Sequence, residues 1–441
     1  MSILIQALQF FASLSLLVLI HEFGHYITAR IFKIRVDAFY IFFNPWFSIY
    51  KRKVGDTIYG IGWLPLGGYV SLNGMVDETI DSDKMEQLKE EPKPWEFRSK
   101  PAWQRLIVML AGVVMNVIMA MVIYTGMLCA WGESYYHNDD MKYGYIYNEE
   151  AHAFGFEDGD RILSIDNNTI GNVSEINQRL LIVDHDLEVD ILRGTDSLTL
   201  TLPLTELVAM RERGTYQGFI SERVPMVVKS VATEEAMNAG LEVDDHIIAI
   251  DGNEAKDYLS AQPLLQERRG VTTELTVVRN ACDTLQIVAP VSEDAKLGIQ
   301  IPVTMPRYRE YSFWEAIPAG IKMTGREIAS YWNQLKMIVN PDTKLYKEVG
   351  GFLAIGSVFP DEWNWPRFWH ITALISIMLA VMNLLPIPGL DGGHALFTLW
   401  EIITRRKPSE KFLVVMQWIG LALLFALLIY ANGNDIFKLF K

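Results

Sequence analysis

An unbroken apolar run from Ile3 to Ile20 leads directly into His21-Glu22-Phe23-Gly24-His25. A run of this kind, continued through the motif, approaches the roughly twenty residues that a helix needs to cross the hydrocarbon of a bilayer. Backbone in lipid must satisfy its own polar groups, so the run is constrained to be helical. On a helix, residues four apart share a face, and His21 and His25 can therefore ligate one metal ion. Glu22 lies beside them, where a general base for a zinc-bound water belongs. The first twenty residues lack a basic leader and no small-residue cleavage site follows, so the run reads as a retained anchor rather than a signal peptide.

Three further stretches have the length and apolarity of membrane helices, giving four in all: Ile3–Ala29, Leu106–Trp131, Phe368–Leu385 and Phe412–Tyr430. Half of the 441 residues are hydrophobic, which fits a few membrane helices combined with water-exposed domains. The formal net charge of −14 argues against nucleic acid as a partner. Two distant cysteines, Cys129 and Cys282, support neither a disulfide framework nor a cysteine metal site. Basic residues flank the connection between the first two spans (Arg30, Lys33, Arg35, Arg98, Lys100, Arg105). They also flank that between the last two (Arg405, Arg406, Lys407, Lys411). The positive-inside rule puts both connections in the cytoplasm and the large middle region outside.

Residues 36–70 alternate aromatic and turn residues, the pattern of short strands, and are expected to form a sheet dipping into the bilayer edge. An open strand edge there requires a partner, which suits a protein that holds another chain extended. The middle region carries a repeat: Ala153–Asp166 and Ala239–Asp251 share a small-apolar turn, an aspartate, apolar alternation and a closing aspartate. Each copy continues into a helical stretch and two alternating strands, and each resembles a PDZ domain, although Asp244 replaces a glycine of the pattern in the second. Such modules bind extended peptides or chain ends; the competing reading is a sizing plug with no bound peptide. Tyr311–Val339 has apolar residues at helical spacing and is expected to lie as an amphipathic helix on the outer membrane surface, against the alternative of a core helix of the last soluble module.

Two histidines do not complete a catalytic zinc site, which takes three protein ligands and a water. Nothing suitable follows the motif closely. The favoured third ligand is Asp391, in Asn383-Leu-Leu-Pro-Ile-Pro-Gly-Leu-Asp391-Gly-Gly-His394. A carboxylate in a Gly-rich break at the end of a membrane span needs a charge partner, and zinc supplies one. Its alternative role is to cap the helix that starts near Gly392. His394 reads as a neighbour of the site, an alternative ligand, or a residue packing a helix end.

These motifs together resemble the site-2 protease family of intramembrane zinc metalloproteases, in its bacterial regulator-of-sigma-E branch, over nearly the whole chain. The resemblance implies a polytopic α-helical membrane protein with a membrane-associated β-region and two inserted PDZ-like α+β domains. It divides the chain into an N-terminal membrane part (1–131), two PDZ-like domains (132–215 and 216–305), an amphipathic linker helix (306–345) and a C-terminal membrane part (346–441). It implies Zn2+ held by His21, His25 and Asp391, with Glu22 as acid–base. It implies substrate contacts from Asn383, from Gly60 and Gly62, and from Gly67, Gly68 and Tyr69. Gly350-Gly351-Phe352 stands where the family often has Ser-Gly-Pro, and the proline is absent. The implied substrate is the transmembrane segment of a single-pass protein, of anti-sigma-factor type or a remnant signal peptide. The implied setting is the bacterial inner membrane, with the active site toward the cytoplasm and the PDZ-like domains on the periplasmic side. The alternative from another class is a membrane-anchored PDZ scaffold with a vestigial metal site.

Overall fold

The computed structural model describes residues 2–65, 67–75, 91–216, 218–280 and 282–440. The chain divides into two units. One comprises residues 1–133, 310–341 and 345–441; the other comprises 134–309 with 342–344.

Among the described residues of the first unit, four helices are long and apolar enough to span a bilayer: Ile3–Ile31, Ala102–Trp131, Trp365–Leu384 and Lys411–Lys438. They belong to helices α1 (Ser2–Ile31), α2 (Ala102–Trp131), α5 (Trp365–Leu384) and α7 (Glu410–Leu439). The apolar windows of α2 and α5 are 44% and 50% buried, against 22% and 11% for α1 and α7. The second and third spans are therefore central, and the fourth presents most of its apolar surface outward, as a lipid-facing helix does. Hydroxyls on the third span are satisfied internally, as a lipid environment requires. Thr372 donates to the Phe368 carbonyl at 2.8 Å, and Ser376 on α5 donates to the Asn116 carbonyl on α2 at 2.8 Å.

Between the first two spans lies a four-stranded sheet of β1 (Val36–Tyr40), β2 (Phe43–Val54), β3 (Thr57–Leu64) and β4 (Tyr69–Leu72), in the order β2-β3-β1-β4. β1 runs parallel to β3 and antiparallel to β4, with Tyr40 opposite both Gly60 and Tyr69. β4 is thus an edge strand. On β2, Trp46 is 91% exposed, and it and Phe47 stack on Trp63. An aromatic surface of that size is suited to lipid rather than water.

Helix α3 (Phe313–Val339) opens with a capping box made by Ser312 and Glu315. Its apolar stripe is placed differently from the surface-lying helix read from its periodicity. Ile328, Tyr331 and Leu335 pack on Ala120, Tyr124 and Ile377 of the second and third spans. Periodicity defines a stripe that must be covered and does not name the cover. Short helix α4 (Phe352–Ser357) has Gly351 at its N-cap and no side-chain cap of its own. The far end of α7 supplies the acceptors instead: Asn432 accepts from the Phe352 amide at 3.2 Å and Asp435 from the Ala354 amide at 3.0 Å. After α5 the chain turns through Pro386, Pro388 and Gly389 into α6 (Asp391–Thr404). At 14 residues, α6 is too short to cross a hydrocarbon layer of about 30 Å.

The second unit contains two modules with the same strand arrangement. In the first, strands 161–165, 168–169, 187–193 and 196–202 form a sheet in which 161–165 lies between 168–169 and 187–193. In the second, strands 246–250, 253–254, 272–279 and 283–290 repeat that arrangement. Their cores are separate, centred on Ile162, Val189 and Ile191 in one and on Ile247, Leu275 and Val277 in the other. Each contains a fully buried aspartate gripped by an arginine from the third strand: Asp160 by Arg193 at 2.7–2.9 Å, and Asp245 by Arg279 at 2.7–2.8 Å. Burial is the largest influence on Asp245 and works against its charge, but the Arg279 hydrogen bonds, the Glu242 backbone amide and the Arg279 charge together outweigh it and hold the carboxyl below the usual range. His246 is half-buried on its strand, and its Nε2 is enclosed.

Candidate metal centre and its cavity

His21 and His25 occupy successive turns of one face of α1, and their ring centroids are 4.9 Å apart. Their Nε2 atoms are 3.3 Å apart, and Asp391 Oδ2 lies 3.2 Å from each. Three donors held tetrahedrally at zinc–ligand lengths would be separated by about 3.3 Å. Apart from the two imidazole nitrogens, Asp391 Oδ2 has no partner among the described residues although it is enclosed. An enclosed carboxylate oxygen and two converging imidazoles are a donor set that suits zinc. Asp391 is the first residue of α6, and the helix N-cap position is Leu390. The aspartate side chain is thus turned to the histidines.

The second span shapes this centre. The His25 Nδ1–H donates to the Val108 carbonyl at 2.8 Å, which leaves the Nε2 lone pair facing Asp391. Gly112, one turn further along α2, lies where a side chain cannot: a Cβ there would stand 2.6 Å from the His21 ring and closer still to His25. Another turn on, the Asn116 carboxamide is 3.3 Å from His21 Nδ1.

The centre opens into a cavity of about 340 Å³ whose walls include Glu22, Asn383, His394, Gln417 and the β4 segment 67–70. The Val70 backbone lies close to the Glu22 carboxylate across the cavity, which brings the edge strand up to the residue next to His21. Of the residues implied by resemblance, Asn383, Gly67, Gly68 and Tyr69 line the cavity. Gly60 and Gly62 do not: they sit inside the sheet, against the Tyr40 ring and the Phe42–Phe43 backbone. Tyr69 stacks on Tyr40 at 5.2 Å and donates to Asn44 at 3.0 Å. His394 stands one turn beyond Asp391. His370 lies beside Tyr124, away from the cavity walls. Two buried residues that sequence reading passed over are Asn116 and Gln417, each a carboxamide in an apolar span. A polar residue in a span is costly and is retained for a reason, and that rule points to both.

A triad able to hold a metal ion, set among membrane helices with a carboxylate beside it and a cavity at an edge strand, is the arrangement of a membrane-embedded metal-dependent hydrolase. The profile of Peptidase family M50 matches residues 9–427, and the chain belongs to that family, the site-2 proteases. It is similar to the regulator of sigma E protease of Haemophilus influenzae, 28% identical with 98% of each chain covered. A protein of Treponema pallidum named as a zinc metalloprotease is 27% identical over 97% of this chain and 98% of its own length. One of Vibrio cholerae under the same name is 27% identical over 98% of each. The protein is a multi-pass membrane metalloprotease, and its cofactor is zinc.

Proposed function

We propose that this protease cuts the transmembrane segment of single-pass membrane proteins, with His21, His25 and Asp391 holding the zinc and Glu22 as acid–base. The observation that carries the reading is the ligand triangle with its sides of 3.2–3.3 Å, enclosed at the junction of α1, α2 and α6 and open to the β4 edge. Bound zinc supplies Lewis acidity toward a water and toward the scissile carbonyl. Glu22 takes the proton released as the water attacks, and returns it to the leaving amide nitrogen. A helical substrate hides its carbonyls in its own hydrogen bonds and must unwind before it is cut. Pairing of the unwound stretch with β4 offsets the cost of exposing its backbone in the membrane. Asn383, on the cavity wall, is placed to hydrogen-bond the substrate carbonyl as charge develops on it.

The substrate class we infer is an anti-sigma factor already trimmed outside the membrane, with remnant signal peptides as a second use; the name of the Haemophilus influenzae relative supports the first. The modules of the second unit are read as PDZ-like domains on the periplasmic face of the bacterial inner membrane. They exclude substrates whose outer domain is still bulky. Glu22→Gln tests the mechanism: cleavage of a single-span reporter is lost while stoichiometric zinc is retained. An active variant contradicts the role of Glu22, and a wild-type protein without zinc contradicts the ligand set.

A further inference from the structure

The two imidazoles of the triangle are not held in the same way. His25 is fixed by a backbone carbonyl: its Nδ1–H donates to Val108 at 2.8 Å. His21 has no such carbonyl among the described residues and meets the side chain of Asn116 at 3.3 Å. Val108, Gly112 and Asn116 are spaced four apart and form one stripe of α2, so a single face of the second span abuts both rings. Asn116 is fully buried in a membrane helix, where an amide is retained only with a partner. Its own backbone carbonyl is taken by Ser376 at 2.8 Å. Its Oδ1 is enclosed and has no partner among the described residues.

We propose that Asn116 is a positioning residue for the metal centre: its carboxamide oxygen accepts the Nδ1 proton of His21 and keeps the His21 Nε2 lone pair facing Asp391. This rests on the reading of His21, His25 and Asp391 as the zinc ligands. A neutral imidazole has one N–H and one lone pair. If His21 binds metal through Nε2, its proton is at Nδ1 and requires an acceptor. The carboxamide has a donor end and an acceptor end that exchange by a half-turn without change of shape, and only the acceptor end suits that tautomer. Oδ1, the end without a partner, gains one by the half-turn. Gly112 makes the contact feasible by letting α2 approach the rings closely.

The test is zinc affinity of the full-length protein in detergent, measured by competition with a chelator. Asn116→Leu keeps the volume and removes the acceptor; its zinc dissociation constant should rise about 10- to 100-fold. Asn116→Asp keeps an acceptor and should stay within about threefold of wild type, as carboxylate–histidine pairs at zinc do. Ser376→Ala, which removes only the bond to the Asn116 backbone, should leave affinity unchanged. Unchanged affinity in Asn116→Leu, or equal loss in Asn116→Leu and Asn116→Asp, overturns the proposal. Absence of tight zinc from the wild type overturns the ligand reading itself. Should Asn116→Leu not fold, the ring nitrogens of 15N-histidine-labelled wild type with zinc decide. A protonated Nδ1 on His21 supports the proposal, and a bare Nδ1 overturns it.

Discussion

Asp391 is the residue on which the centre turns. It comes from the start of α6, about 370 positions from the histidines, and its Oδ2 completes the triangle with them. Asp391→Asn keeps the shape and removes the charge, and zinc content of the purified protein should fall well below one per chain. Gly112→Ala places a methyl against both rings, and atomic absorption should show zinc loss there as well, although no ligand has changed. The three converging residues, His21, His25 and Asp391, stand out in the sequence because they are ionisable side chains in or beside apolar runs. Asn116 and Gln417 were not singled out, because one neutral amide in a run such as Leu106–Trp131 barely alters its hydropathy. Gly60 and Gly62 show the converse: glycine spacing marks close packing, but not whether the space beside it is a cavity or a neighbouring ring.

At the scale of elements, β4 carries the substrate argument. Val70 is opposite Phe39 on one side, and on the other its backbone lies close to Glu22. Val70→Pro removes the backbone N–H there, and cleavage of a membrane-span substrate should drop by an order of magnitude or more with zinc affinity unchanged. The turn before α6 is equally tight. Gly420 of α7 lies against the Pro388 carbonyl with no room for a side chain, and this contact brings Gln417, one turn earlier, to the cavity wall. The strands of the β-region and the spans were legible as elements from alternation and apolar length. The cover of α3 was not, since it depends on Ala120, Tyr124 and Ile377, which are distant in sequence.

At the scale of the whole molecule, the two units are stabilised by different physics. The membrane unit relies on apolar spans packed against one another, and the second unit on two small cores, each with a buried aspartate held by a partly exposed arginine. The Asp245 carboxyl is depressed in the folded state, so its contribution is full above the unfolded value of about 3.9 and is lost as pH falls through the folded value. Arg279→Met leaves that carboxylate without its cation and should destabilise the module. Its module should then unfold at a higher pH on acid titration followed by near-UV circular dichroism, while zinc content is unaffected. The central claim is that this zinc centre cuts within a membrane span. It is tested most directly by mass spectrometry of the products from a single-span substrate reconstituted with the protein in lipid vesicles. The account predicts a cut inside the apolar segment, absent with Glu22→Gln. A cut confined to the water-exposed flanks, or the same cut with Glu22→Gln, would contradict it.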